Sequence, residues 1–241
     1  MHFSIKSFGA SGVRSSLGGL AIALMTSVPG AKAHPHVFVD TAVIVYHEQE
    51  KIVGLEPIWI FDDLYSETLI ADLDLDRDGQ LSDQELYDFA GEALSNLKEW
   101  NYFLEIEGLE NQDRIDINAT RIHASIQSGR LVLRFLVEPE SGETSLGEAV
   151  QLKMFDPSYF IAMDFVQSDQ TVSYLPASAI EGGQARAVSG ADADCRTERK
   201  AATGVDEQTR SLLEAIPIDG TPDDPRIGAA FAETMIVDCR G

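Results

Sequence analysis

Short apolar runs, broken at close intervals by turn residues, dominate the chain from residue 37 onward. Val37-Phe38-Val39 and Ala42-Val43-Ile44-Val45-Tyr46 are β-branched and aromatic, and a polar turn at His47–Lys51 leads into a second run, Ile52 to Phe61. That pattern predicts a hairpin. Further strands are predicted at Tyr102–Ile106, Arg114–Ile117, Arg121–Ile126, Leu131–Val137, Val150–Phe155 and Tyr159–Phe165, with turns at Gly108, Ser128-Gly129 and Pro139. Between the first hairpin and these strands lies helical patterning, with Asp62 or Asp63 as N-cap, an entering helix through Ser66–Ala71 and an exiting one from Asp83 to Leu97. The small, polar and charged stretch Gly182–Gly204 reads as a surface loop, followed by a helix near Asp206–Ile216 and a last strand at Met235–Cys239. The spacing favours antiparallel pairing over βαβ units. The expected fold is therefore α+β: an antiparallel, β-rich, sandwich-like domain with a helix–loop–helix of EF-hand type inserted at 62–98.

The insertion carries the most specific motif. Asp74 to Glu85 reads DLDRDGQLSDQE and fills the ligand positions of an EF-hand loop. Asp74, Asp76 and Asp78 stand at positions 1, 3 and 5, and Gly79 takes the sharp turn at position 6. Gln80 would offer its backbone carbonyl, Leu81 would point inward, Ser82 would bind directly or through water, and Glu85 would close the shell with both oxygens. Calcium favours six to eight oxygens, and this spacing wraps about that many around one point. The competing reading is an acidic surface turn that matches the pattern by chance. No second such loop occurs in the chain, so a calcium ion here reads as a brace rather than a switch.

Composition adds an address. Residues 1–33 have the form of a secretory signal peptide: Lys6 and Arg14 give a basic start, Gly18–Met25 a short apolar core, and Ala31-Lys32-Ala33 a small-x-small cleavage site. The apolar run is too short to span a bilayer, and the mature chain, 34–241, is expected in the periplasm without a membrane span. The chain holds 18 Lys and Arg against 40 Asp and Glu; removing Lys6, Arg14 and Lys32 leaves 15 against 40, a formal −25. A field of that sign repels nucleic acid and anionic lipid and attracts cations. Cys195 and Cys239 are the two cysteines, and in an oxidising compartment they are expected to form a disulfide closing the C-terminal segment 187–241.

Cleavage after Ala33 would leave His34 with a free α-amine and an imidazole, and His36 two residues on. Together these nitrogens suit Ni²⁺, Co²⁺, Zn²⁺ or Cu²⁺. Pro35 has no amide N–H, which blocks the square-planar amino-terminal chelate that needs the second residue's amide nitrogen. A polar N-terminus that merely carries two histidines is the alternative. His123, among apolar and small residues, is expected to be half-buried, and His47 to be solvated in its turn.

Four segments in order, His34–Asp40, Trp59–Asp63 with the acidic loop after it, Phe155–Phe160, and Ile227–Ala232 leading to Cys239, resemble a family of exported proteins of unknown function. That family is described as the uncharacterised periplasmic component of an ABC-type transport system. Its members often accompany nickel/cobalt permeases of the NicO type. The resemblance implies a part in transition-metal transport, His34 and His36 as ligands, an inner-membrane metal permease as partner, and Asp156 as a further acidic candidate. An Asp-Pro turn is the plainer reading of Asp156.

The leading expectation is thus a non-enzymatic periplasmic accessory of nickel, cobalt or zinc transport with a structural Ca²⁺ site. The alternative is a calcium-stabilised exported module without a transition-metal role. A histidine-brace oxygenase would need a second fixed histidine, for which His47 and His123 remain. Hydrolase motifs such as G-x-S-x-G and H-E-x-x-H do not occur.

Overall fold

The computed structural model describes residues 35–140, 142–166, 172–176, 195–202 and 227–240. Within them the fold is mixed α and β, rich in strand, with two sheets and few helices. The predicted signal segment 1–33, His34 and the predicted helix at 206–216 lie outside the described residues.

Strand β1 (Val37–Glu48) runs into β2 (Lys51–Phe61) through a tight turn, giving the expected hairpin with the two predicted runs of β1 fused into one strand. Helices α1 (Asp63–Leu73) and α2 (Asp83–Lys98) follow, then β3 (Leu104–Gly108), β4 (Ile117–Gln127), β5 (Arg130–Pro139) and β6 (Ala149–Met154). The described chain continues with β7 (Ile161–Phe165), β8 (Val172–Pro176), β9 (Arg196–Lys200), the one-turn helix α3 (Ile227–Phe231) and β10 (Thr234–Asp238).

The first sheet has the order β4-β5-β2-β1-β7, with β8 also on β1. The expectation of wholly antiparallel pairing is corrected here: one edge of β1 meets β2 antiparallel, while its other edge meets β7 over Val37–Thr41 and β8 over Val43–His47, both parallel. Apolar periodicity reports which face a side chain takes, not strand direction, so the pattern could not distinguish the two. The second sheet, β3-β6-β10-β9, is antiparallel throughout.

Strand β9 overturns a second expectation, since Arg196–Lys200 falls inside the stretch read as loop. Its RTERK sequence suits an edge strand, where charge on both sides deters further pairing. Arg114–Ile117 is not a strand of its own; Arg114 makes one bridge to Glu107, and Ile117 opens β4. The Ser128-Gly129 turn between β4 and β5 has φ of 53° and 83°, the left-handed pair that tight hairpins favour.

Both sheets feed one buried cluster. Val37, Val39, Val43 and Val45 of β1 join Leu55 and Trp59 of β2, Leu133 and Phe135 of β5, Ile106 of β3, Leu152 of β6 and Val237 of β10. Leu69 of α1 and Leu86, Phe89, Leu94 and Leu97 of α2 pack against it. Ser66, fully buried, fastens α1: its hydroxyl accepts the N–H of Leu131 at 3.0 Å. On the other face of the first sheet Ile44, Tyr46 and Leu136 form a smaller cluster. There Glu56 accepts from Tyr46 Oη at 2.6 Å and from Arg134 Nε at 2.7 Å, so its buried charge is paired.

A disulfide joins Cys195 to Cys239, as expected, next to the β9–β10 pair and 44 residues apart in sequence. Replacing both cysteines by serine should cost about 2–4 kcal/mol through the larger unfolded ensemble, measured as a lower midpoint in chemical denaturation. Next to Cys239, Arg240 donates to Asp238 at 2.7 and 2.8 Å and pairs with Glu110. These hydrogen bonds hold the Asp238 carboxyl down to about 2. A depressed carboxyl stabilises the fold above the ordinary Asp value near 4 and loses that contribution as pH falls toward its folded value. The stability gap between the native protein and Arg240→Gln should therefore be full above about pH 5 and shrink toward pH 2, as urea titrations across that range would show.

Candidate metal sites

The acidic loop starts where α1 stops. Asp62 caps the start of α1, accepting from Tyr65 N at 2.8 Å, and Asp74 ends the helix, its N–H donating to Ile70 O at 3.1 Å. Ser82 and Glu85 then form a reciprocal capping box that opens α2. Between the helices the carboxylates turn inward on their own backbone. Asp74 accepts from Asp78 N and Gly79 N, Asp76 from Asp78 N, and Asp78 from Gln80 N, at 2.8–3.2 Å. Arg77 and Gly79 take left-handed φ of 60° and 84°, which gives the loop its reversal at the glycine the motif requires.

Ligand atoms of Asp74, Asp76 and Asp78 lie within 4.8 Å of one another, close enough for one ion. Among the described residues this is the group of three His, Cys, Asp or Glu that meets that condition. Glu85 is not one of these three: one oxygen accepts from Leu75 N and the other from Ser82 N and Oγ, each at 2.8 Å. It ties Leu75, near the start of the loop, to Ser82, near its end. Gln80 and Ser82 sit in the loop at their motif positions, and Leu81 is half-buried as expected.

Charge in the loop is unevenly borne. Asp76 is held down by the N–H of Asp78, but repulsion from the Asp78 carboxylate, partial desolvation and the neighbouring Asp74 and Glu85 raise it overall. Glu85 is lowered by the N–H groups of Ser82 and Leu75 and by the Ser82 hydroxyl. The triad thus concentrates negative charge that a divalent cation would relieve, while Glu85 is satisfied by the protein alone.

The second candidate site lies at the start of β1. His36 is exposed; its N–H donates to Phe160 O at 2.9 Å, and its ring lies 4.8 Å from that of Phe160. Phe38, 55% exposed, points outward from the same strand and donates its N–H to Asp62 Oδ2 at 2.8 Å. Asp62 returns the contact, its own N–H donating to Phe38 O. One carboxylate therefore caps α1 with one oxygen and holds β1 with the other.

Asp156 turns both carboxylate oxygens onto its own turn. It is 5% exposed, and its two oxygens accept from Ser158 N, Ser158 Oγ and Ile161 N at 2.8–3.0 Å, closing the turn before β7. This is why β7 begins at Ile161 rather than at Tyr159 as predicted. His47 is not solvated in the turn as expected: it is next to last in β1 and half-buried because it still pairs there, its Nδ1 3.2 Å from Gln49 O, and it lies eleven residues from His36, about 35 Å along an extended strand. His123 on β4 is exposed, not half-buried, because it lies on the outward phase of that strand.

The four segments singled out in the sequence meet in space. Trp59 and Phe61 pair with Thr41 and Val39 of β1, the 156–160 turn holds His36, and Gly228 of α3 lies against the turn. A family model described as a protein of unknown function, DUF1007, matches residues 19–239. The chain belongs to that family. An uncharacterised protein of Haemophilus influenzae is 23% identical over 215 residues, 87% of this chain and 93% of its own. No solved structure matches the chain.

Gly228 shows how tightly that meeting place is built. A Cβ there would sit 1.8 Å from the carbonyl oxygen of Asp156, a backbone atom with little room to yield. Gly228→Ala should cost about 1–3 kcal/mol or more by overpacking, seen as a drop in Tm.

Proposed function

We propose that this protein is an exported accessory of transition-metal transport, with a structural calcium ion in the Asp74–Glu85 loop and a histidine-bearing N-terminal edge that takes up Ni²⁺, Co²⁺ or Zn²⁺. The metal would pass to an inner-membrane permease. The observation that carries this reading is the setting of His36: exposed at the start of the strand on which the first sheet is built, and fixed there by the Phe160 carbonyl. Its backbone is anchored by that bond and its ring lies beside the Phe160 ring, which lowers the entropy lost on binding an ion.

Other features support it. The chain resembles proteins found beside nickel/cobalt permeases, its acidic balance attracts cations, and the Cys195–Cys239 disulfide suits an oxidising compartment. Among the described residues no helix is long and apolar enough to cross a membrane. For calcium, the convergence of Asp74, Asp76 and Asp78 at a loop with the EF-hand turn is the support. The same convergence favours a second reading, an exported module braced by calcium whose histidines have no metal role.

Calorimetric titration of the mature protein beginning at His34 separates the two. Calcium should bind with Kd on the order of 10⁻⁴–10⁻³ M, the range of extracellular modules, and Asp74→Asn/Asp76→Asn should lose it. With calcium present, one of nickel, cobalt or zinc should bind at micromolar Kd or tighter, and His34→Ala/His36→Ala should abolish that binding. Transition-metal binding that survives the histidine variant would sink the transport reading and leave the braced module.

A further inference from the structure

We propose that Asp156 is the positioning residue of the N-terminal edge: its carboxylate folds the 156–161 turn so that the Phe160 carbonyl and ring hold His36. The consequence for metal uptake rests on the reading of His36 as a ligand. The positioning itself does not.

The turn is unusual enough to need such a residue. Tyr159 takes a left-handed φ of 56°, a conformation that costs a bulky side chain energy unless its surroundings enforce it. Asp156 enforces it from both sides. Oδ1 accepts from Ser158 N at 2.9 Å, upstream of Tyr159, and Oδ2 accepts from Ile161 N at 3.0 Å, downstream of it. The Ser158 hydroxyl donates across both oxygens at 2.8 Å, and Tyr159 N closes onto Asp156 O at 2.9 Å. The outside of the turn is held as well: Tyr159 stacks on Phe231 at 4.1 Å, and Gly228 N donates to Pro157 O at 3.2 Å.

What the turn presents is the Phe160 carbonyl, which accepts both His36 N at 2.9 Å and Val37 N at 3.3 Å, and the Phe160 ring beside the imidazole. From Val37 on, β1 is held by β7 on this edge, and from Phe38 on by Asp62 and β2 on the other, so these contacts act where that support begins. Releasing the turn would remove the Phe160 contacts of His36 while leaving the β1–β2 pairing in register. Asp156 thus serves the candidate site without contacting an ion.

The test uses the calcium-loaded mature chain starting at His34. The imidazole proton resonances of His36, shifted by the adjacent Phe160 ring, report positioning directly, and His36→Ala assigns them. Asp156→Ala should move them toward the values of an unstructured histidine, weaken transition-metal binding at least tenfold, and leave calcium affinity within twofold. Asp156→Asn, which keeps one acceptor oxygen, should restore part of the shift, a rescue that general destabilisation would not give. Should Asp156→Ala fail to fold, Ser158→Ala removes only the hydroxyl bonds and should move the resonances in the same direction by less. Resonances unchanged in the folded Asp156 or Ser158 variant would overturn the proposal. If His34→Ala/His36→Ala leaves metal binding intact, the transport reading fails, while the resonances still decide whether Asp156 positions His36.

Discussion

The two-sided pairing of β1 is the constraint on which the rest of this structure depends. One edge is committed to β2 along nearly its whole length, and the other is divided between β7 and β8. A strand paired on both edges has its backbone polar groups satisfied and can be buried, and Val37, Val39, Val43 and Val45 accordingly sit in the core. Parallel partners cannot be reached by a hairpin. The chain must leave the first sheet after β5, build β6 in the second, and return before β7 is laid down. The sharp Asp156 turn is where that return ends.

This order explains why distant segments converge. Contacts made by β1 belong to the hairpin, those of β7 come more than a hundred residues later, and α3 is later still. Their meeting place is held by short polar contacts, Asp62 to Phe38, Phe160 O to His36 and Gly228 N to Pro157 O, together with the stacking of Tyr159 on Phe231 and the close approach of Gly228 to Asp156. Such contacts need particular residue types at particular places. An aspartate with two acceptors and a glycine with no Cβ have few substitutes.

The sequence made the strands and the helix–loop–helix legible because both rest on local periodicity and local capping. Ser82 and Glu85 form a capping box within one turn, and Ser128-Gly129 forms its hairpin turn without outside help. Strand direction was not legible, since alternation of Val37, Val39 and Val43 reads the same for either sense of the neighbour. Nor was β9, whose RTERK pattern carries no apolar signal and is held by β10 with the disulfide beside it. For the candidate sites, the acidic triad was visible from spacing alone. The role of Asp156 was visible only as an Asp-Pro turn, because its purpose lies in what the turn reaches, 120 residues upstream in the chain. Asp62 read simply as a cap; its second oxygen has no signature in sequence.

That second oxygen bears on how the two candidate sites relate. Helix α1 has only 11 residues, too few to be stable alone, and its far end runs into a loop where Asp74, Asp76 and Asp78 repel one another. Neutralising that repulsion would favour the ordered end of α1. The other end of α1 is the cap by Asp62, the carboxylate that also receives the Phe38 N–H. A carboxylate shared between a helix cap and a strand edge couples their order, because fraying of either removes one of its two partners and weakens the geometry of the other. Calcium in the loop, under the reading proposed above, would therefore steady the edge that carries His36 from the α1 side, while the Asp156 turn steadies it from the β7 side. Such a brace does not require α1 and α2 to open or close, which suits a solitary loop with no twin to share a hydrophobic seam.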